Sequence, residues 1–206
     1  MTRRSLSSIS ARAGITILIF ASAAASQLYN DGSVEVHDIA PIKARSHEPA
    51  DVLIAAVDTV FHDQQVCCGK NSALIDSLEK ADPVSLKSVA ERLQGRHLYS
   101  DGRPLHITAE CVMPAAVSPG QVVSMIASQH PPLMRWNSHL YVVYGVDYRR
   151  TEDTSTGARS LILLKFLLWD LRYSDARRNV VFDRETEDPA KVQGLLFIST
   201  TSDSRS

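Results

Sequence analysis

Cys67 and Cys68 are the residues from which covalent chemistry would start. They stand in "QQVCCGKNSAL", residues 64–74, directly before a run with helical spacing. A thiol at a helix start meets unpaired N–H groups and the positive end of the helix dipole. Both favour the thiolate and lower the thiol pKa below its usual value of about 8.5. Such a thiolate works with a base that shuttles protons and a carboxylate that holds the base in place. His139 opens the run "HLYVVYGVDYR", and Asp170 lies near the end of "SLILLKFLLWDLR". If these runs pair as an antiparallel hairpin in symmetric register, Tyr148 faces Leu161 and His139 faces Asp170. Opposed residues share one face of a sheet, with Cβ atoms about 4.5–5.5 Å apart. A slip of one residue would send the two side chains to opposite faces. Plainer roles exist for each residue. The cysteines could form a disulfide and a buried thiol, since buried cysteine packs as a small hydrophobe. His139 could be an edge histidine, and Asp170 could turn the chain or pair with Arg172.

The elements that must position these residues follow from the apolar pattern. "PADVLIAAVDTVFHD" suits a helix with Pro49 in its first turn, and its apolar residues also allow a strand. "GKNSALIDSLEKA" spaces Ala73, Leu74 and Leu78 as a helix that Pro83 ends. "DPVSLKSVAERLQGR" is a second helix, capped by Asp82 or Ser85, with a stripe of Leu86, Val89 and Leu93 and a stop at Gly95. "LHITAECVM" alternates as a strand, and "SPGQVVSMIASQH" is a helix with Ser118 as N-cap and Pro119 behind it. The two long β-rich runs form a hairpin around the polar loop "TEDTSTGA", and "NVVFD" and "GLLFIST" add strands. Helices come first and strands second, which predicts an α+β fold.

The chain begins with Arg3, Arg4 and Arg12 and no acid, followed by "ITILIFASAAA". That apolar run is too short to span a bilayer as a helix. With the small residues after it, it reads as a signal peptide over residues 1–25. The expected location is therefore periplasmic or extracellular, with no membrane attachment after cleavage. Removing residues 1–25 takes three of the 22 basic residues and no acid, leaving 19 against 23 and a net charge of about −4. No clustered basic run marks a nucleic-acid partner. Residues 26–47 read as a flexible arm with one short strand near Val34–Ile39, residues 48–199 as one domain, and residues 200–206 as a disordered tail. Three cysteines in an oxidising compartment suggest one bridge and one free thiol. Adjacent cysteines rarely bond each other, so Cys111 pairs with one of Cys67 and Cys68. The histidines lack the spacing of a zinc site, and no glycine-rich phosphate loop is present, so neither metal nor cofactor is expected.

Taken together, "QQVCCGKNSAL", "SHLYVVYGVDY" and "KFLLWD" resemble, in order and context, the papain-like cysteine peptidases. The likeness is greatest to the compact bacterial type that processes bacteriocins at double-glycine sites. "SPGQVVSMIASQHPPLMRW" resembles the helix and strand that lead into that family's histidine, and the resemblance covers roughly residues 61–182. It implies a papain-like fold, with N-terminal helices carrying the cysteine and an antiparallel sheet carrying histidine and aspartate. It implies Cys68 as nucleophile, with Cys67 the alternative nucleophile, the bridge partner of Cys111 or a spectator. His139 would be the general base, Asp170 its orienter, and Gln64 or Gln65 the side-chain donor to the oxyanion. The implied activity is a thiol hydrolase, a peptidase or amidase acting on a peptide or protein through an acyl-enzyme. The family's glutamine stands about six residues before the cysteine, where this chain has His62 or Asp63. That departure points to the alternative, an inactive papain-like domain that binds a peptide or cell-envelope partner.

Overall fold

The computed structural model describes residues 27–63, 72–98 and 104–202. Within them the chain forms β1 (Gln27–Glu35), α1 (Pro49–Asp63), α2 (Ser72–Glu79), α3 (Leu86–Leu93), β2 (Gly95–Leu98), β3 (Pro104–Val112), α4 (Pro119–Ala127), β4 (Leu133–Trp136), β5 (His139–Asp153), β6 (Arg159–Trp169), β7 (Asn179–Asp183) and β8 (Val192–Ser202). The strands make one sheet in the order β2-β3-β8-β4-β5-β6-β7. β1 lies on β5 beyond the end of β4, on the same side. Every pairing is antiparallel. The fold is α+β. Among the described residues, no helix is long and apolar enough to cross a membrane.

The apolar runs are continuous because both faces of the central strands are covered. Side chains alternate along a strand, and here each alternate goes into a different core. Leu140 and Val142 of β5, with Leu196 and Ile198 of β8, pack under α1, α2 and α3. Tyr141, Val143, Leu195 and Phe197 enter a second core with Val122 and Ile126 of α4 and with Phe166 and Phe182. The helical reading of α1 wins because its apolar residues form one wide stripe, with Leu53, Val57, Val60 and Phe61 almost wholly buried. Thr59 enters that core with its hydroxyl satisfied, donating to the Ala55 carbonyl (2.8 Å) and accepting from the Ile42 N–H (3.0 Å). The cap of α3 is Ser85, whose side chain accepts from the Ser88 N–H. Ser118 holds the N-cap position of α4 but makes no capping bond with its side chain.

Three expectations are corrected. The segment read as a flexible arm is paired: β1 spans nine residues and lies along Gly145–Asp153 of β5. The stretch after it is also tied down, by Val36 N–H to the Tyr144 carbonyl and Ala44 N–H to the Leu171 carbonyl. The physical reason is that β5 runs past the end of β4, and β1 supplies the hydrogen bonds that edge lacks. The order of helices first and strands second also fails, since β1 precedes every helix and β2 and β3 come before α4.

The third correction concerns register. The hairpin loop is shorter than "TEDTSTGA", because the strands extend to Asp153 and from Arg159. Asp153 Oδ1 accepts from the N–H groups of Ser155 and Thr156, and Gly157 takes φ +69. That turn aligns Glu152 with Arg159 and Tyr148 with Leu163, two positions away from the symmetric register. Two irregularities follow, and the pairing ends at Val142 opposite Trp169. Asp170 therefore lies beyond the paired strand, and His139 is not opposite it. A shift of two residues is about 6.6 Å along a strand.

Candidate functional site

His139 is placed by a tight hairpin between β4 and β5. Trp136 pairs with His139, so only Asn137 and Ser138 make the turn. Both have positive φ, 49° and 64°, which is the type I′ geometry that suits the twist of two antiparallel strands. Asn137 tolerates that region well, whereas Ser138 is held there by its surroundings. Its carbonyl accepts from Arg135 Nη1 at 3.1 Å. The imidazole of His139 emerges exposed beside the turn, 6.4 Å from the Tyr141 ring centre.

A cleft of about 180 Å³ opens at this point. Arg135, Ser138, His139 and Leu140 line one side of it. His47, Pro49 and Val52, from the start of α1, line another side, and Arg172 completes it. Three distant stretches of chain thus meet around the first turn of one helix. His47 is fixed by donating from Nε2 to the Arg172 carbonyl (3.2 Å) and by an edge contact with Tyr173 at 5.5 Å. The charge-bearing residues His47, Arg135 and Arg172 were not singled out in the sequence as site residues. A basic residue in the apolar run "LMRW" is the one available signal for Arg135.

Asp170 has a partner other than histidine. It is buried, and both its carboxylate oxygens accept from Arg172, Oδ1 from Nε at 2.8 Å and Oδ2 from Nη2 at 2.5 Å. The Arg172 N–H also donates to Oδ1. The ion pair, not the histidine orienter, is what the structure forms. Tyr141 sits against this pair. Burial pushes its phenol up, the Asp170 charge adds to that shift, and Arg172 opposes it. Among the described residues, the ring of His139 has no hydrogen-bond partner, although its backbone pairs with Trp136.

Cys67, Cys68, Gln64 and Gln65 lie outside the described residues. The helix that starts beside His139 is α1, and the residues leading into it are Ser46, His47 and Glu48. Cys111 is a free thiol on β3, packed against the core beneath α1–α3. Its burial raises its pKa above the ordinary value. Its expected bridge partner Cys67 is outside the described residues. Among the described residues, no group of His, Cys, Asp and Glu converges as a metal site.

The cleft therefore presents the buried cation Arg135 beside two exposed imidazoles, His47 and His139. No protein-family model, no curated protein and no solved structure matches this chain.

Proposed function

We propose that this chain is an exported domain of papain-like kind whose His139 cleft binds a peptide or cell-envelope partner without cleaving it. The observation that carries this reading is the engagement of Asp170. A general base in a thiol hydrolase needs a group that holds its tautomer and orientation. Asp170 spends both oxygens on Arg172 and leaves His139 without that support. The residues at the helix start beside His139 add to the reading. They are Ser46, His47 and Glu48, and none is a thiol.

A second reading keeps the hydrolase. It assigns Cys68 as nucleophile and His139 as base, and it draws on the exposure of the His139 ring at the cleft mouth. Iodoacetamide labelling at pH 6 and pH 8, with the labelled site located by mass spectrometry, separates the two. For a binding domain, Cys68 labels at pH 6 no faster than an ordinary thiol, and His139→Ala leaves its rate unchanged. Cys111 labels more slowly still, because burial holds its thiol protonated. Rapid labelling of Cys68 at pH 6, slowed by His139→Ala, would overturn the binding reading and restore the hydrolase.

A further inference from the structure

We infer that the His139 cleft is an anion pocket, built to hold a carboxylate or phosphate group between Arg135, His139 and the first turn of α1. The inference rests on the reading of this cleft as the binding site and names the chemistry it selects.

Arg135 is the central observation. It is 4 % exposed, so it is a buried cation. Its Nη1 and Nη2 donate to the carbonyls of Ser138 and Pro83. Among the described residues, its buried Nε has no partner. No carboxylate lies within ion-pair distance of it among the described residues, although the Asp82 charge acts on it from further away. A buried guanidinium satisfied only by carbonyl oxygens keeps its full charge, and an unpaired charged donor is costly in a protein interior. An anion held in the cleft that Arg135 lines would compensate that charge at short range. Arg172, by contrast, has its charge spent on Asp170 and serves as wall.

The helix start supplies the second part. α1 has fifteen residues and begins at Pro49, which has no N–H to offer. The other residue of α1 that lines the cleft is Val52, whose N–H already bonds the Glu48 carbonyl. The helix start therefore contributes the positive end of its dipole, which favours an anion. Asp51, the acidic residue of that turn, accepts from the Ser46 hydroxyl at 2.6 Å and lines a separate cavity with Ile42 and Lys43. His139 also lines the cleft and can donate to a bound oxygen, whereas His47 keeps its Nε2 proton on the Arg172 carbonyl. A space of about 180 Å³ admits a small charged group rather than a whole folded partner. A peptide's terminal or side-chain carboxylate and free phosphate share this chemistry.

The test is a titration of the purified protein at pH 7, followed through the imidazole NMR signals of His47 and His139. Three probes are used: an N-acetylated dipeptide with a free C-terminus, its C-terminal amide, and inorganic phosphate. Saturable shifts with the free acid, at least tenfold weaker with the amide, are expected. Shifts with phosphate alone would keep the anion pocket and remove the peptide reading. Equal affinity for acid and amide would keep the peptide reading and overturn the anion pocket. No saturable shift with any probe would overturn both. His139→Ala, at an exposed position, should fold normally and weaken acid binding about tenfold. Arg135→Gln should abolish it, and Arg135→Lys should rescue it in part if charge, not packing, is what the arginine supplies.

Discussion

The two ends of the β5–β6 hairpin each carry an arginine clasping an aspartate with two hydrogen bonds. At the open end, Arg172 holds Asp170 at 2.8 and 2.5 Å. Near the turn end, Arg149 holds Asp31 at 2.6 and 2.8 Å. The geometry is the same, and the surroundings are opposite. The Arg172 and Asp170 side chains are 18 % and 4 % exposed, whereas those of Arg149 and Asp31 are 37 % and 54 % exposed. Water screens the second pair and competes for its hydrogen bonds. It barely reaches the first. Distance alone therefore says nothing about what an ion pair contributes, and the surrounding dielectric decides it.

The largest effect should come from breaking the buried pair. Arg172→Ala leaves the buried Asp170 carboxyl without its partner beside Tyr141, and such a loss costs about 3 kcal/mol or more. Urea unfolding should show the midpoint falling with the slope unchanged. A change under about 0.5 kcal/mol would mean that water reaches Asp170 and that the contrast between the two ends is false. The same variant removes the guanidinium wall of the cleft, so it also uncouples cleft shape from the rest of the sheet.

Gly145 sharpens the comparison from the middle of the same hairpin. It lies between the two ends, where the β5–β6 pairing is irregular. A Cβ there would meet the side chain of Glu35 at 2.7 Å, Leu167 Cδ1 at 3.0 Å and the Val34 carbonyl at 3.1 Å. The glutamate can swing away, but the carbonyl belongs to the paired backbone of β1. Gly145→Ala should therefore cost about 2 kcal/mol by overpacking. Hydrogen exchange should report it first in β1, ahead of β4. Equal loss of protection in both would mean that the sheet yields as one unit.

How much of this was legible in the sequence depends on where the information sits. "HLYVVYGVDYR" announces a strand because both its faces are buried. "SLILLKFLLWD" announces one by its apolar run, although only one face, with Leu163, Phe166 and Leu168, is buried. Ser85 announces a helix start because its side chain makes the capping bond. "QLYNDGSVE" hides a strand because β1 covers an edge with mostly exposed, polar side chains. The pairing of His139 with Asp170 was illegible for a sharper reason. Register depends on where the turn closes, and Gly157 with Asp153 closes it two positions from the symmetric guess. Face assignment survives a shift of two, but contact does not. The turn at Asn137 and Ser138 lacks the glycine that usually marks a type I′ hairpin, so the device that presents His139 left little trace. Arg135 reads as one polar residue in a short apolar run. Its guanidinium is tied to the Pro83 carbonyl, 52 positions away in the chain.

The smallest effect is expected at the exposed pair, and its pH dependence is what identifies it. The hydrogen bond from Arg149 holds the Asp31 carboxyl below its usual value. A carboxyl with a depressed folded pKa stabilises the fold above the unfolded value of about 3.8 and loses that contribution as pH falls through the folded one. Arg149→Ala should therefore differ slightly from the parent protein at pH 7, at or below what thermal melting resolves. The difference should shrink as pH falls below about 3.8 and vanish once Asp31 is protonated in the folded state. It should also vanish in about 1 M salt, where screening acts within about 3 Å. Arg172→Ala should keep most of its deficit in the same salt, because ions do not reach Asp170. A salt-resistant loss on Arg149→Ala would place Asp31 in a drier setting than its exposure implies, and the two ends of the hairpin would then differ in degree only.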